Sequence, residues 1–267
     1  MPKSYDIDKV IEGKKLFLIS GPCAIESEKV CFTVAAKLRE LSDKYDIPVI
    51  FKSSYAKANR LSGESFSGHG VDFGLDILQK VKDEFGFPIL TDIHETSEAT
   101  RTAEVADVIQ IPAFLCRQTE LVRTAAATGK WVNIKKGQFL SPDDMDKVAA
   151  KARSGKVMLT ERGSSFGYHN LVVDFRSLII MKEFGFPVVF DATHSLQLPG
   201  GGGNFSSGQP QFVTPFAKAA VAIGINGLFV ETHPEPLSAL SDAAAMLPLE
   251  NMETLIIEVK KVAEANQ

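Results

Sequence analysis

The chain has 267 residues, 45% of them hydrophobic, and a formal net charge of −4. That size suits one large α/β domain or two small ones, and no linker divides it. The acidic balance argues against general nucleic-acid binding; with no apolar stretch long enough for a bilayer and a polar first fifteen residues, a cytoplasmic protein without membrane partners is expected.

Residues 1–15 read as a small hairpin or irregular cap on a single domain covering residues 1–267. Leu16 to Ser20 is the first predicted strand, and it leads into the turn Gly-Pro-Cys-Ala-Ile-Glu-Ser at 21–27. Ser27 and Glu28 open a helix to about Tyr45, with apolar spacing at Val30, Val34, Leu38 and Leu41. Val49 to Lys52 is strand two, and the polar, Gly-rich segment 53–70 is a long loop of the kind that carries function. A helix over Val71–Phe85 and a strand over Ile89–Thr91 follow. Thr96–Val105, Thr119–Thr128, Pro142–Ala152, Leu171–Phe184 and Phe212–Ile223 read as helices. They alternate with strands at Val108–Ile111, Val132–Ile134, Val157–Thr160, Val188–Phe190 and Leu228–Val230. Pro199–Pro210 is a mobile loop, and a helix over Glu250–Ala265 closes the chain.

Eight βα units with near-continuous apolar strands predict an α/β fold, a (β/α)8 TIM barrel. A doubly wound open sheet is the alternative, but no GxGxxG turn supports it. In such barrels function sits where the strands end, so the residues there are the candidates. They are Cys23; Lys52, Ser54, Lys57, Asn59 and Arg60; Asp92 and His94; Gln110 and Arg117; Lys135; Glu161 and Arg162; Asp191 and His194; Glu231 and His233.

Lys52, Lys57, Arg60, Arg117, Lys135 and Arg162 put six cations on one face of an acidic protein. Phosphates and carboxylates are their natural counterparts, and six exceed the need of one phosphomonoester. Two anionic groups or substrates are therefore expected. Cys23, His194 and Glu231 come from strands one, seven and eight, which become neighbours when a barrel closes. Asp242 can fold back over the same edge. A thiolate, an imidazole and two carboxylates suit zinc, ferrous iron or manganese, with His94 and His233 as rival ligands or substrate contacts. The odd count and wide spacing of Cys23, Cys31 and Cys116 argue against a disulfide framework and leave buried, reactive or metal-binding thiols.

The blocks GPCAIES, KANR, GHG, TDIHE, IQIPAFLCRQT, NIKKGQF, TERG, NLVVDFRSL, DATHS, QLPGG, ETHPEP and LSDA, in order from about Leu16 to Leu249, resemble 3-deoxy-D-manno-octulosonate 8-phosphate synthases. The resemblance implies a homotetrameric barrel that condenses phosphoenolpyruvate with D-arabinose 5-phosphate and water on the route to bacterial lipopolysaccharide. Cys23 implies the metal-dependent class, which the metal-independent one leaves by carrying Asn there; His194, Glu231 and Asp242 would be the other ligands. Lys57, Arg117, Lys135 and Arg162 would hold phosphoenolpyruvate, with Ser54 and Gln110 nearby, and Lys52 is a further substrate contact. Asn59 and Arg60 would meet the sugar phosphate. Catalysis is expected of Lys57, Asp92, His94, His194 and Asp242. Two departures bear on the sugar phosphate: Leu61 stands where the family usually has serine, and Gln209-Pro210-Gln211 replaces a Gly-Gly stretch with a following arginine. The alternatives are a 3-deoxy-D-arabino-heptulosonate 7-phosphate synthase using erythrose 4-phosphate, a metal-dependent phosphosugar aldolase, and a non-catalytic phosphometabolite-binding barrel.

Overall fold

The computed structural model describes residues 4–57, 68–200, 207–241 and 243–266. Its central sheet consists of β1 (Phe17–Gly21), β2 (Val49–Lys52), β3 (Ile89–Asp92), β4 (Val108–Ile111), β5 (Trp131–Lys135), β6 (Val157–Glu161), β7 (Val188–Asp191) and β8 (Gly227–His233). Each strand pairs in parallel with the next, and β8 pairs with β1 from Phe17–Gly227 to Gly21–Glu231. That last ladder closes the sheet, so the barrel is observed and the open-sheet alternative is excluded.

The helices are α1 (Ile7–Ile11), α2 (Glu28–Tyr45), α3 (Val71–Phe85), α4 (Ala99–Ala103), α5 (Thr119–Ala127), α6 (Met145–Ala150), α7 (Arg176–Glu183), α8 (Val213–Ile223) and α9 (Met252–Ala265). In α2 the Ser27 side chain caps the start by accepting from the Val30 N–H, and the apolar face buries Cys31, Val34, Leu38 and Leu41. Two expectations are corrected. Residues 7–11, expected as a hairpin or irregular cap, form a regular helix, because Asp6 accepts from the Asp8 and Lys9 amides and caps it. The stretch from Leu171 does not begin a helix: Leu171–Val172 pairs antiparallel with Ser164–Ser165, and α7 starts only at Arg176. The β-branched Val172 and Val173 favour the extended start.

Side-chain alternation sorts each strand into two sets. Leu18, Val49, Phe51, Ile109, Val132, Leu159, Phe190 and Leu228 join the outer core under the helices. Phe17, Ile19, Ile50, Leu90, Val108, Trp131, Met158, Val189 and Phe229 fill the interior, where Val10 and Ile11 of α1 join them. Trp131 Nε1 donates to Asp8 Oδ1 at 2.6 Å, and Lys156 Nζ lies 3.0 Å from the same oxygen. α1 is thus tied to the barrel by its apolar face and by Asp8. Two residues further along the same inward-facing series come Lys52, Asp92, Gln110, Asn133, Thr160, Asp191 and Glu231, all buried. Every one is polar or charged. That second layer, at the strand C-terminal ends, is where the site lies.

Candidate active site

The turn after β1 sets the geometry. A Cβ at Gly21 would stand 2.0 Å from the Lys52 carbonyl oxygen, so only glycine lets β1 and β2 leave the barrel this close together. The Cys23 carbonyl accepts from the Ser54 N–H at 3.3 Å and from Lys52 Nζ at 2.9 Å. Glu26, in the same turn, accepts from the Leu240 N–H at 2.7 Å and so draws the segment after β8 back over the mouth. Ser241 Oγ consequently sits 3.0 Å from Cys23 Sγ.

His194 lies in the single turn that follows β7, and Asp191 aims it. One Asp191 oxygen is 2.7 Å from His194 Nδ1, while the other accepts the backbone N–H groups of Thr193 and His194 at 3.1 and 2.9 Å. With Nδ1 committed, Nε2 faces Glu231 Oε2 at 3.4 Å. Thr193 Oγ1 in turn accepts from the Glu231 N–H at 2.9 Å, which fixes the start of that side chain. Ligand atoms of Cys23, His194 and Glu231 all lie within 4.8 Å of one another. Atoms bound about 2.0–2.3 Å from one tetrahedral ion stand roughly 3.3–3.8 Å apart, so this thiol, imidazole and carboxylate fit a divalent transition metal. The Asp191–His194 contact is the kind of outer partner that orients a metal-binding imidazole.

Two lysines neutralise this acidic group. Lys52 Nζ is 2.5 Å from Glu231 Oε1, and Lys135 Nζ is 2.6 Å from Asp191 Oδ2. Both ammonium groups also lie over the Phe229 ring, at 5.7 and 3.9 Å from its centroid, where the negative face of the aromatic favours a cation. Burial alone would raise the Asp191 pKa, but His194 and Lys135 hold it well below the usual carboxylate range. Burial pulls Lys135 below the usual lysine range against the opposing pull of Asp191 and Glu231. Desolvation also lowers His194, and Asp191 with Glu231 more than reverses it.

Across the barrel, Asp92 accepts from Ser54 Oγ and Gln110 Nε2, and Lys57 Nζ donates to Ser54 Oγ at 3.1 Å. Burial opposes ionisation of Asp92, yet Lys52, Lys57, His94 and Lys135 together hold its pKa far down. Arg162 is buried and donates from Nη2 to Gln197 Oε1 at 2.9 Å. The turn that presents it is fixed from below: Glu161 Oε1 accepts from the Gly163 N–H at 2.6 Å, and buried Lys136 lies 3.6 Å from Glu161.

The structure does not bring every candidate into this cluster. Arg117 is exposed and forms no ion pair among the described residues; its carbonyl accepts from Lys151 Nζ at 2.7 Å. His94 packs edge-on to Tyr55 with Nδ1 3.8 Å from Glu98, outside the possible metal group. His233 is likewise outside it: Nδ1 accepts from the Glu235 N–H at 3.0 Å and Nε2 faces Glu26 at 3.6 Å, so it braces the β8 exit. Asn59, Arg60, Leu61 and Asp242 lie outside the described residues. Conversely, Asn133, Thr160, Lys136 and Phe229 were not legible as site residues when strand ends alone were considered. Their signal is the inward parity for Asn133, Thr160 and Phe229, and a second lysine beside Lys135 for Lys136.

Residues 5–267 match the model of the DAHP synthetase I family. Among curated relatives, a 2-dehydro-3-deoxyphosphooctonate aldolase of Bordetella petrii is 53% identical over 94% of this chain and 92% of its own length. One of Acidithiobacillus ferrooxidans is 56% identical, covering 90% of this chain and 86% of the relative. A third, from Cyanothece sp., is 53% identical over 95% and 94%. With a family match over nearly its whole length and relatives above half identity over nine-tenths of it, the chain belongs to the DAHP synthetase I family.

Proposed function

We propose that the chain condenses phosphoenolpyruvate with D-arabinose 5-phosphate and water to give 3-deoxy-D-manno-octulosonate 8-phosphate and inorganic phosphate, a step toward bacterial lipopolysaccharide. The observation that carries the reading is the buried layer at the barrel mouth. It sets buried Lys52 and Lys135 against the Cys23–His194–Glu231 group, with Arg162 also buried just past β6, on a chain whose relatives bear the octonate aldolase name.

In the reaction, C3 of phosphoenolpyruvate bonds to the sugar aldehyde carbon and the water oxygen bonds to C2. The aldehyde oxygen takes up one proton as water gives one up; the C2 hydroxyl so formed then gives up the second as C2 becomes a carbonyl, and the C2–O bond to phosphate breaks with the phosphate leaving as it takes that proton. Lys57, Lys135 and Arg162 are assigned to the phosphate and carboxylate of phosphoenolpyruvate, with Lys52, Ser54 and Gln110 beside them; Arg117, exposed and outside the buried cluster, is assigned with them on the family resemblance alone. Cations with little water around them stabilise charge that builds near C2. Asn59 and Arg60 are assigned to the sugar phosphate; the Asn59 amide can both donate to and accept from a sugar hydroxyl. Asp92 and His94 complete the polar wall at β3. Cys23, His194 and Glu231 would hold a divalent metal, with Asp242 as fourth ligand, an assignment supported by Ser241 lying against Cys23. Zinc, ferrous iron or manganese bound there supplies Lewis acidity toward an oxygen of the substrate or water. His194 keeps Nε2 aimed at that position because Asp191 occupies Nδ1.

The protein is proposed to act as a cytoplasmic homotetramer of single-domain subunits. No helix among the described residues is long and apolar enough to cross a membrane. The test is release of inorganic phosphate from phosphoenolpyruvate with each sugar phosphate in turn. Arabinose 5-phosphate should be strongly preferred over erythrose 4-phosphate, since a site built to bond one more hydroxylated carbon rejects the analogue that leaves its groups unpaired. Preference for erythrose 4-phosphate reassigns the chain to the heptulosonate reaction, and no release with either sugar rejects the condensation.

A further inference from the structure

The upper interior of the barrel holds a hydrogen-bonded run of side chains, two of which, buried Asn133 and Thr160, no substrate assignment uses. Thr160 Oγ1 donates to Asn133 Oδ1 at 2.6 Å, and Asn133 Nδ2 donates to Gln110 Oε1 at 2.8 Å. Gln110 Nε2 then donates to Asp92 Oδ1, Ser54 Oγ donates to Asp92 Oδ2, and Lys57 Nζ donates to Ser54 Oγ at 3.1 Å. The series crosses β6, β5, β4 and β3 and ends beyond β2. Asp92 with Gln110, and Gln110 with Asn133, are direct register partners, so neighbouring strands hold their side chains level. Thr160, Asn133 and Ser54 are fully buried and Gln110 is 2% exposed, so bulk water does not replace a lost partner.

The direction of every bond follows from one end. An ionised carboxylate only accepts, so Gln110 must turn its NH2 toward Asp92 and its oxygen toward Asn133. Asn133 must then donate from its own NH2, and its oxygen requires the Thr160 hydroxyl. Ser54 gives its proton to Asp92 and can only accept from Lys57. Neither amide can be reversed alone without setting two acceptors or two donors face to face.

From this directed series we infer that Asn133 and Thr160 are positioning residues for the reaction, locking Gln110, Asp92 and Ser54 in one polarity and thereby fixing Lys57. This inference rests on the reading of Lys57 as a phosphoenolpyruvate contact. It assigns a role to two residues that lie two and three strands away from Asp92, Asn133 reaching it through Gln110 and Thr160 through Asn133 and Gln110. Their value is geometric: a displacement of about 1 Å in a positioned group costs on the order of 100-fold in rate.

The experiment compares Thr160→Val, which keeps shape and removes the hydroxyl, with Thr160→Ser, which keeps the hydroxyl; Asn133→Asp, which removes the NH2 donor, is the stronger disruption. Phosphate release is measured with both substrates varied, and rates are normalised to folded protein by thermal unfolding. Thr160→Val should raise KM for phosphoenolpyruvate and lower kcat by about tenfold in kcat/KM, as expected when one buried donor is lost. Thr160→Ser should restore most of that loss, and KM for arabinose 5-phosphate should change less in both. Asn133→Asp, where it folds, should lose more than Thr160→Val. Equal kinetics per folded molecule in Thr160→Val and Thr160→Ser overturn the inference while leaving the condensation intact. Failure of the unaltered protein to release phosphate overturns the condensation and this inference with it.

Discussion

The two ends of the barrel interior are made by the same strands and the same side-chain parity, yet they are chemically opposite. At the N-terminal end Phe17, Ile50, Leu90, Val108, Trp131, Met158, Val189 and Phe229 pack with Val10 and Ile11 of α1. One pleat further along, the inward positions are Lys52, Asp92, Gln110, Asn133, Thr160, Asp191 and Glu231. The lower layer gains stability from every buried methylene, about 25 cal/mol per Å² of apolar surface. The upper layer opposes folding unless each charge finds a partner, because desolvating an ion costs more than an isolated contact returns. The lower end therefore holds the barrel together, and the upper end spends that stability on a dry, charged chamber.

Substitutions can break this contrast. Phe17→Ala should lower unfolding free energy by about 3–5 kcal/mol, since a large buried ring leaves a cavity. The turnover of the molecules that remain folded should be unchanged. Glu231→Leu should cost a comparable 3–5 kcal/mol, because it strands Lys52 in the interior. Combining it with Lys52→Met should recover much of that stability without recovering phosphate release. A double variant as unstable as the single would show that the upper layer is not limited by unpaired charge. Denaturant titration and the phosphate assay decide both cases.

A smaller effect belongs to the free-energy cost of anion binding. Arg162→Ala and Lys135→Ala should each lose about 1.5–3 kcal/mol in kcat/KM for phosphoenolpyruvate, the cost of leaving an anionic group without its charge-assisted partner. Unchanged kinetics in both would remove them from the site. Smallest is the pH response at the lower end. The Trp131 hydrogen bond, followed by Lys156, lowers the Asp8 pKa below its ordinary value of 3.8. A depressed carboxylate contributes stability that is present above its unfolded pKa and lost as pH falls through the folded one. Asp8→Asn should therefore be slightly less stable than the unaltered chain near neutral pH, with the gap closing below about pH 4. A gap that widened in acid would contradict the assignment.

The contrast also explains what could be read without coordinates. Val49–Lys52, Val71–Phe85 and Val108–Ile111 coincide with the observed β2, α3 and β4, because apolar runs and caps mark them. β8 was expected to stop at Val230 and continues to His233; β3, β5, β6 and β7 likewise run one residue further, into Asp92, Lys135, Glu161 and Asp191. An apolar-run criterion ends a strand where its interior turns polar, and that is where the site begins. Cys23, His194 and Glu231 were legible as neighbours because barrel closure follows from the count of units. Asn133 and Thr160 escaped because a polar residue inside a strand resembles solvent-facing alternation until the closed barrel shows which face is inside.

The charged chamber is proposed to carry out a metal-supported condensation of phosphoenolpyruvate with arabinose 5-phosphate, and its metal dependence is the most direct test. Metal content and phosphate release are determined on the same sample as isolated, after exhaustive chelation, and after return of zinc, ferrous iron or manganese. Cys23→Asn is measured in parallel. The account predicts about one divalent metal per chain, loss of phosphate release on chelation, recovery with at least one of the three ions, and a Cys23→Asn variant that keeps part of its activity and depends less on metal. Full phosphate release by metal-free, unaltered protein would contradict it.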